Sequence, residues 1–163
     1  MTKLIAVTPA LVGFAVLTFS LSTGAAPARA FEARTGELHI VKDCGVAGNP
    51  ANTCQIVSSN LAELPVGSLI FYDQNGPAPG TTPAIGRGVM DSNIFIYVQS
   101  GDWAVGRCTL DLNTGLGVCT LSYGAGPLAT ISAKANVSFH QLLPNGVVEF
   151  SLDGTYTFNP SGN

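Results

Sequence analysis

Residues 101–126 read GDWAVGRCTLDLNTGLGVCTLSYGAG, and this stretch decides the fold. Asn113-Thr114-Gly115 supplies residue types that tolerate turn and left-handed backbone angles. Its flanks, Arg107-Cys108-Thr109-Leu110-Asp111 and Val118-Cys119-Thr120-Leu121, alternate as half-buried strands do. The stretch is expected to be a β-hairpin with one cysteine in each arm. A two-residue turn at Asn113-Thr114 sets Cys108 opposite Cys119, whereas a bulge at Gly115 shifts the pairing by one residue.

Paired cysteines matter only in an oxidising compartment, and the start of the chain supplies one. Lys3 gives a positive n-region, residues 4–21 are mostly apolar, and Ala28-Arg29-Ala30 places small residues where a signal peptidase reads them. Residues 1–30 are therefore expected to be a signal peptide cleaved before Phe31, with Ala26-Pro27-Ala28 as a competing site. The apolar core is short for a span of roughly 20 residues, so no membrane span is expected after cleavage. The expected location is secreted or periplasmic.

Residues 31–163 then suit a single domain with its own core. Of the seven Lys and Arg, Lys3 and Arg29 leave with the signal, so five bases face ten acids. That balance excludes a nucleic-acid role, because no basic patch remains to neutralise phosphates. Cys44, Cys54, Cys108 and Cys119 all lie beyond the signal, where disulfides are the default. Three pairings are possible; Cys44 with Cys54 and Cys108 with Cys119 is favoured because each closes a short local loop. A zinc site is disfavoured by the lack of Cys-x-x-Cys spacing and by only two histidines, His39 and His140. No cofactor or metal is expected.

Along the rest of the chain, short apolar runs recur between Gly, Pro, Asn and Ser clusters, and no segment keeps a helical period over ten residues. Strands are expected near residues 37–43, 54–58, 68–73, 93–100, 103–112, 117–123, 129–142 and 147–158, with one helical turn at 59–64. The late alternation is clearest: Ile131, Ala133, Ala135, Val137 and Phe139 oppose Ser132, Lys134, Asn136, Ser138 and His140. Val148, Phe150, Leu152, Gly154, Tyr156 and Phe158 likewise oppose Glu149, Ser151, Asp153, Thr155 and Thr157. Such strands have one dry face and one wet one. The expected fold is all-β: an eight-stranded antiparallel barrel, lipocalin-like or calycin-like, whose closure removes exposed edges.

Two segments depart from the pattern. Residues 74–90, QNGPAPGTTPAIGRGVM, form a long connection with three prolines, compatible with a binding loop or a plain surface loop. Ile94-Phe95-Ile96-Tyr97-Val98 is apolar on both faces, compatible with a subunit interface, cover by the long connection, or ordinary core variation.

Several motifs together resemble the allene oxide cyclase barrel-like family, whose relatives include plant allene oxide cyclases and dirigent proteins. They are Ser58-Ser59-Asn60-Leu61, Val66-Gly67-Ser68-Leu69-Ile70-Phe71-Tyr72, Gly106-Arg107-Cys108-Thr109-Leu110, Gly117-Val118-Cys119-Thr120-Leu121 and Leu152-Asp153-Gly154-Thr155-Tyr156-Thr157-Phe158. Where the family commonly has a Gly-Gly-Thr-Gly-x-Phe turn, this chain has Tyr123-Gly124-Ala125-Gly126-Pro127-Leu128, which keeps two glycines in register but neither Thr nor Phe. The resemblance implies an eight-stranded barrel with an apolar cavity and, as in the plant relatives, a homo-oligomer, often a trimer. It transfers no catalytic residue to this sequence.

Catalytic motifs are lacking: there is no Gly-x-Ser-x-Gly, no His-Glu-x-x-His and no phosphate loop. Gly124-Ala125-Gly126-Pro127-Leu128-Ala129 fits a dinucleotide fingerprint in letters only, since Pro127 opens a strand-like segment where that motif needs a helix. What remains is a cavity lined by aromatic side chains. Tyr123 and Tyr156, followed by Tyr97 and Tyr72, are the expected ligand-lining residues. The first two fall on the inferred inner faces of neighbouring late strands. Two functions follow. One is a secreted barrel binding a small apolar or aromatic molecule and guiding its cyclisation or coupling, an activity of cyclase or isomerase type exerted by conformational control. The other is a non-catalytic structural or interaction protein of the cell surface or periplasm. A tyrosine-lined cavity of roughly 300 Å³ or more marks the first; a packed interior marks the second.

Overall fold

The structure is a computed structural model that describes residues 33–50, 52–73 and 88–159. The expected export signal and most of the long connection, residues 74–87, lie outside the described residues. Eight strands follow one another among the described residues: β1 (Arg34–Cys44), β2 (Thr53–Ser59), β3 (Leu69–Tyr72), β4 (Val89–Tyr97), β5 (Trp103–Asp111), β6 (Leu116–Gly124), β7 (Ile131–Leu142) and β8 (Val148–Phe158). Each pairs antiparallel with the next and β8 pairs with β1, closing a barrel of simple up-and-down order.

The hairpin that opened the sequence argument forms as β5 and β6, with Cys108 opposite Cys119. Its loop is longer than expected. Asp111 and Leu116 are the last pair, and residues 112–115 turn the chain, with the Gly115 N–H donating to the Asp111 carbonyl at 2.8 Å. Gly115 adopts φ 71°, the left-handed conformation glycine takes at no steric cost. Register survives because opening the two-residue turn removes one pair without sliding the arms. Disulfides join Cys44 to Cys54 and Cys108 to Cys119.

The dry face of β7 and β8 lies inside: Ile131, Ala133, Ala135, Val137, Phe150 and Leu152 are buried, while Lys134 and Asn136 are exposed. β4 starts at Val89, four residues earlier than its pattern indicates, because Val89, Met90 and Asp91 pair with the far end of β5. The expected helical turn near 59–64 is a single hydrogen-bonded turn, Leu64 N–H to the Leu61 carbonyl at 3.0 Å. It places Leu61 and Leu64 in the core, where Leu128 of a short 3-10 turn (Gly126–Leu128) is also buried.

Candidate functional site

Among the described residues the barrel interior leaves almost no space. A void of about 20 Å³ remains between Leu38, Ile40, Ile70, Ile96, Leu121 and Leu152, room for about one water. Small side chains at Ala104, Ala133 and Ala135 let opposed Leu and Ile side chains interlock across the barrel. The apolar lumen implied by the family resemblance is filled.

Among the described residues a larger space lies on the outer wall. A groove of about 600 Å³ crosses β3 to β6 and is lined by Phe71, Asp73, Asn93, Phe95, Arg107 and Thr120, among others. Strand register builds it. Phe71 pairs with Phe95, Phe95 with Val105, and Asn93 with Arg107, which faces Thr120, so an aromatic row runs beside a polar row. Rings touch in sequence along and beyond the groove: Phe71 to Phe95 at 6.4 Å, Phe95 to Trp103 at 6.0 Å, and Trp103 to Tyr123 at 5.5 Å between centroids.

The polar margin is tied together. Asp73 Oδ1 accepts from the Ser92 hydroxyl at 2.6 Å and the Asn93 N–H at 3.0 Å, and its Oδ2 accepts from Asn93 Nδ2 at 2.7 Å. Arg107 donates to Asn93 Oδ1 at 3.2 Å and to Asp91 Oδ2 at 2.6 Å. The bonds from Ser92 and Asn93, with the Arg107 charge behind them, hold the Asp73 carboxyl below its ordinary value. The Asp91 carboxylate holds the Arg107 guanidinium charged.

The expected ligand-lining tyrosines separate. Tyr123 is in series with Leu121 in the sequence, yet it lies on the outer wall and is 57% exposed. The cause is a β-bulge. Gly106 pairs with Leu121 but Val105 pairs with Tyr123, so Ser122 is an extra residue and the alternation beyond it is inverted. β5 and β6 run so close here that a Cβ on Gly106 would stand 1.8 Å from the Thr120 carbonyl oxygen. Tyr97 is also on the outer wall, opposite Trp103, and 41% exposed. Tyr156 is on the inner side but lines neither the void nor the groove; it packs on Phe158 and against Gly36 beneath the Arg34 guanidinium. Tyr72 alone of the four borders both the interior void and the groove.

Residues 94–98 resolve cleanly. Ile94, Ile96 and Val98 are buried while Phe95 and Tyr97 face outward, 40% and 41% exposed. His39 lies 2.9 Å from Asp153 and His140 lies 3.8 Å from Glu149, on β1, β7 and β8 rather than on the groove's strands. Among the described residues no group of three or more His, Cys, Asp or Glu side chains is placed to hold a metal ion, and no helix is long and apolar enough to cross a membrane.

No family model matches the sequence, and no curated protein matches it. Among solved structures the chain is similar to the pterocarpan synthase dirigent protein GePTS1, with a TM-score of 0.43 and 13% identity over 82% of this chain and 90% of that chain.

Proposed function

We propose that this protein is an exported small-molecule-binding barrel whose site is the outer groove over β3 to β6. The observation that supports it is the contrast in volume: about 600 Å³ beside Phe71 and Phe95, against about 20 Å³ inside. A groove of that size lies within the range of sites for drug-sized ligands. Its aromatic row suits one face of a flat apolar or aromatic molecule, and the Asp73–Asn93–Arg107 margin offers fixed donors and acceptors to the molecule's edge.

Guidance of a cyclisation or coupling would then act through shape alone, by holding a flexible or reactive molecule in one orientation against the wall. Two disulfides fit a chain that matures in an oxidising compartment, in keeping with secretion. A second reading, a structural or interaction protein, draws on the filled interior and on the exposed rings of Phe95, Tyr97 and Tyr123.

Trp103 is the single tryptophan and stacks on Phe95, so its emission reports on the groove. Titration with 2-naphthol should change that emission saturably. Phe95→Ala should weaken binding about tenfold, the loss of one ring contact and its buried area, while Tyr156→Phe should leave it unchanged. Binding indifferent to Phe95→Ala would overturn the groove, and no binding at all would leave the interaction reading.

A further inference from the structure

The outer wall carries two rows of side chains that run across the strands rather than along them. The first is apolar: Phe71 on β3 pairs with Phe95 on β4, Phe95 with Val105 on β5, and Val105 with Tyr123 on β6. Where Val105 interrupts the rings, Trp103 restores contact, at 6.0 Å from Phe95 and 5.5 Å from Tyr123 between centroids. The second row is polar and lies two positions away along the chain: Asp73 just beyond β3, Asn93 on β4 and Arg107 on β5, with Thr120 opposite Arg107 on β6. The β6 bulge completes the apolar row. Without Ser122 as an extra residue, Tyr123 would follow Leu121 to the inside; with it, the ring stands outside and 57% exposed.

Both rows repeat at the spacing of neighbouring strands, about 4.8 Å. That interval is close to the advance of one sugar along an extended glycan. A β-1,4-linked chain of pyranoses is a flat ribbon with C–H faces and hydroxyl edges, so across β3 to β6 its faces meet the rings and one edge meets groups that donate and accept. Those groups are already held in place: Asn93 Nδ2 donates to Asp73, and Arg107 donates to Asn93. Charge narrows the class. Asp73 and Asp91 outnumber Arg107 at this margin, which repels a carboxylated or sulfated chain and tolerates an uncharged one. An acyl chain or an apolar protein face would strip water from the polar row and return no hydrogen bonds.

We infer that the outer wall over β3 to β6 docks an uncharged, linear β-1,4-linked polysaccharide, lying across the strands with its sugars on Phe71, Phe95, Trp103 and Tyr123. The inference rests on the interaction reading and names the partner for it. It shares Phe95 with the groove reading but also needs Tyr123, which does not line the groove.

Calorimetric titration of the protein with cellohexaose, mannohexaose and xylohexaose, three uncharged β-1,4-linked hexasaccharides, tests this beside 2-naphthol as the groove probe. At least one hexasaccharide should bind, and its disaccharide, too short to span the row, should bind about tenfold or more weakly. Maltohexaose, whose α-1,4 linkage coils the chain, should also bind about tenfold or more weakly. Tyr123→Ala should weaken the hexasaccharide about tenfold, the loss of one ring contact, and leave 2-naphthol unchanged. Tyr123→Phe, which keeps the ring, should retain hexasaccharide binding. If 2-naphthol binds and no β-1,4-linked hexasaccharide does, the glycan is overturned and the groove stands; if neither class binds, both fall. Hexasaccharide binding that survives Tyr123→Ala, or that the disaccharide equals, overturns the row as its site. A dimer that Tyr123→Ala dissociates, with no hexasaccharide bound, gives the wall to a second copy of the chain and overturns the inference.

Discussion

The inner face of the barrel and the outer wall over β3 to β6 are built from similar residue types and end in opposite states. Inside, Ile, Leu, Val and Ala from all eight strands interlock until about 20 Å³ remains. Outside, Phe71, Phe95, Trp103 and Tyr123 contact one another in a row and, among the described residues, stay partly open to water. Apolar character alone therefore does not locate a binding site in such a barrel. On the reading proposed above, what locates it is apolar surface that the described residues leave partly exposed next to polar groups fixed in place, as Ser92 and Asn93 fix Asp73.

The contrast predicts where substitution destabilises. Leu152→Ala on the inner face should cost roughly 2–5 kcal/mol, because the packed neighbours cannot collapse into the space. Tyr123→Ala on the outer wall should cost about 1 kcal/mol or less. Urea unfolding of both variants measures the difference, and equal losses would break the distinction between the two faces. Removing the inner Cys108–Cys119 bridge by the double Ala substitution should cost roughly 2–4 kcal/mol. Its effect on 2-naphthol binding under native conditions should be small, because those side chains point away from the groove.

A smaller effect separates two carboxylates, Asp43 on β1 and Asp73 beside the groove. Burial, and then the Glu149 charge, raise the Asp43 carboxyl above its ordinary 3.8. Ionising Asp43 therefore opposes folding, and that cost grows as pH rises above about 3.8. Asp43→Asn should raise Tm by a few degrees at pH 7 and leave it unchanged at pH 3. Asp73 has the opposite sign: its lowered pKa gives stability above about pH 3.8 that is lost as pH falls through the folded value, so Asp73→Asn should lower Tm more at pH 7 than at pH 2. Thermal scans at the paired pH values check both.

The fold was largely legible in the chain. The Cys108–Cys119 hairpin, the alternation of Ile131 to Phe139 and that of Val148 to Phe158 each fix one buried face, and a closed sheet is the way to satisfy them together. The placement of the expected tyrosines was not, and Ser122 shows why. A bulge inverts every side chain beyond it, yet Leu121-Ser122-Tyr123 contains no Gly, Asn or Pro to announce one, and a single Ser suits a strand's wet face equally well. The available signal was on the opposite strand, where Gly106 stands alone among larger residues. The groove itself is a property of three dimensions: Phe71, Phe95 and Arg107 become neighbours only through cross-strand register.

The central claim is that ligand meets the outside of this barrel and not its lumen. Amide NMR of residues 31–163 titrated with 2-naphthol tests it most directly. The account predicts shifts concentrated at Phe71, Asn93, Phe95, Val105, Arg107 and Thr120, with Ala133, Ala135 and Leu152 unmoved. Shifts confined to those three inner residues, with the outer wall silent, would contradict it.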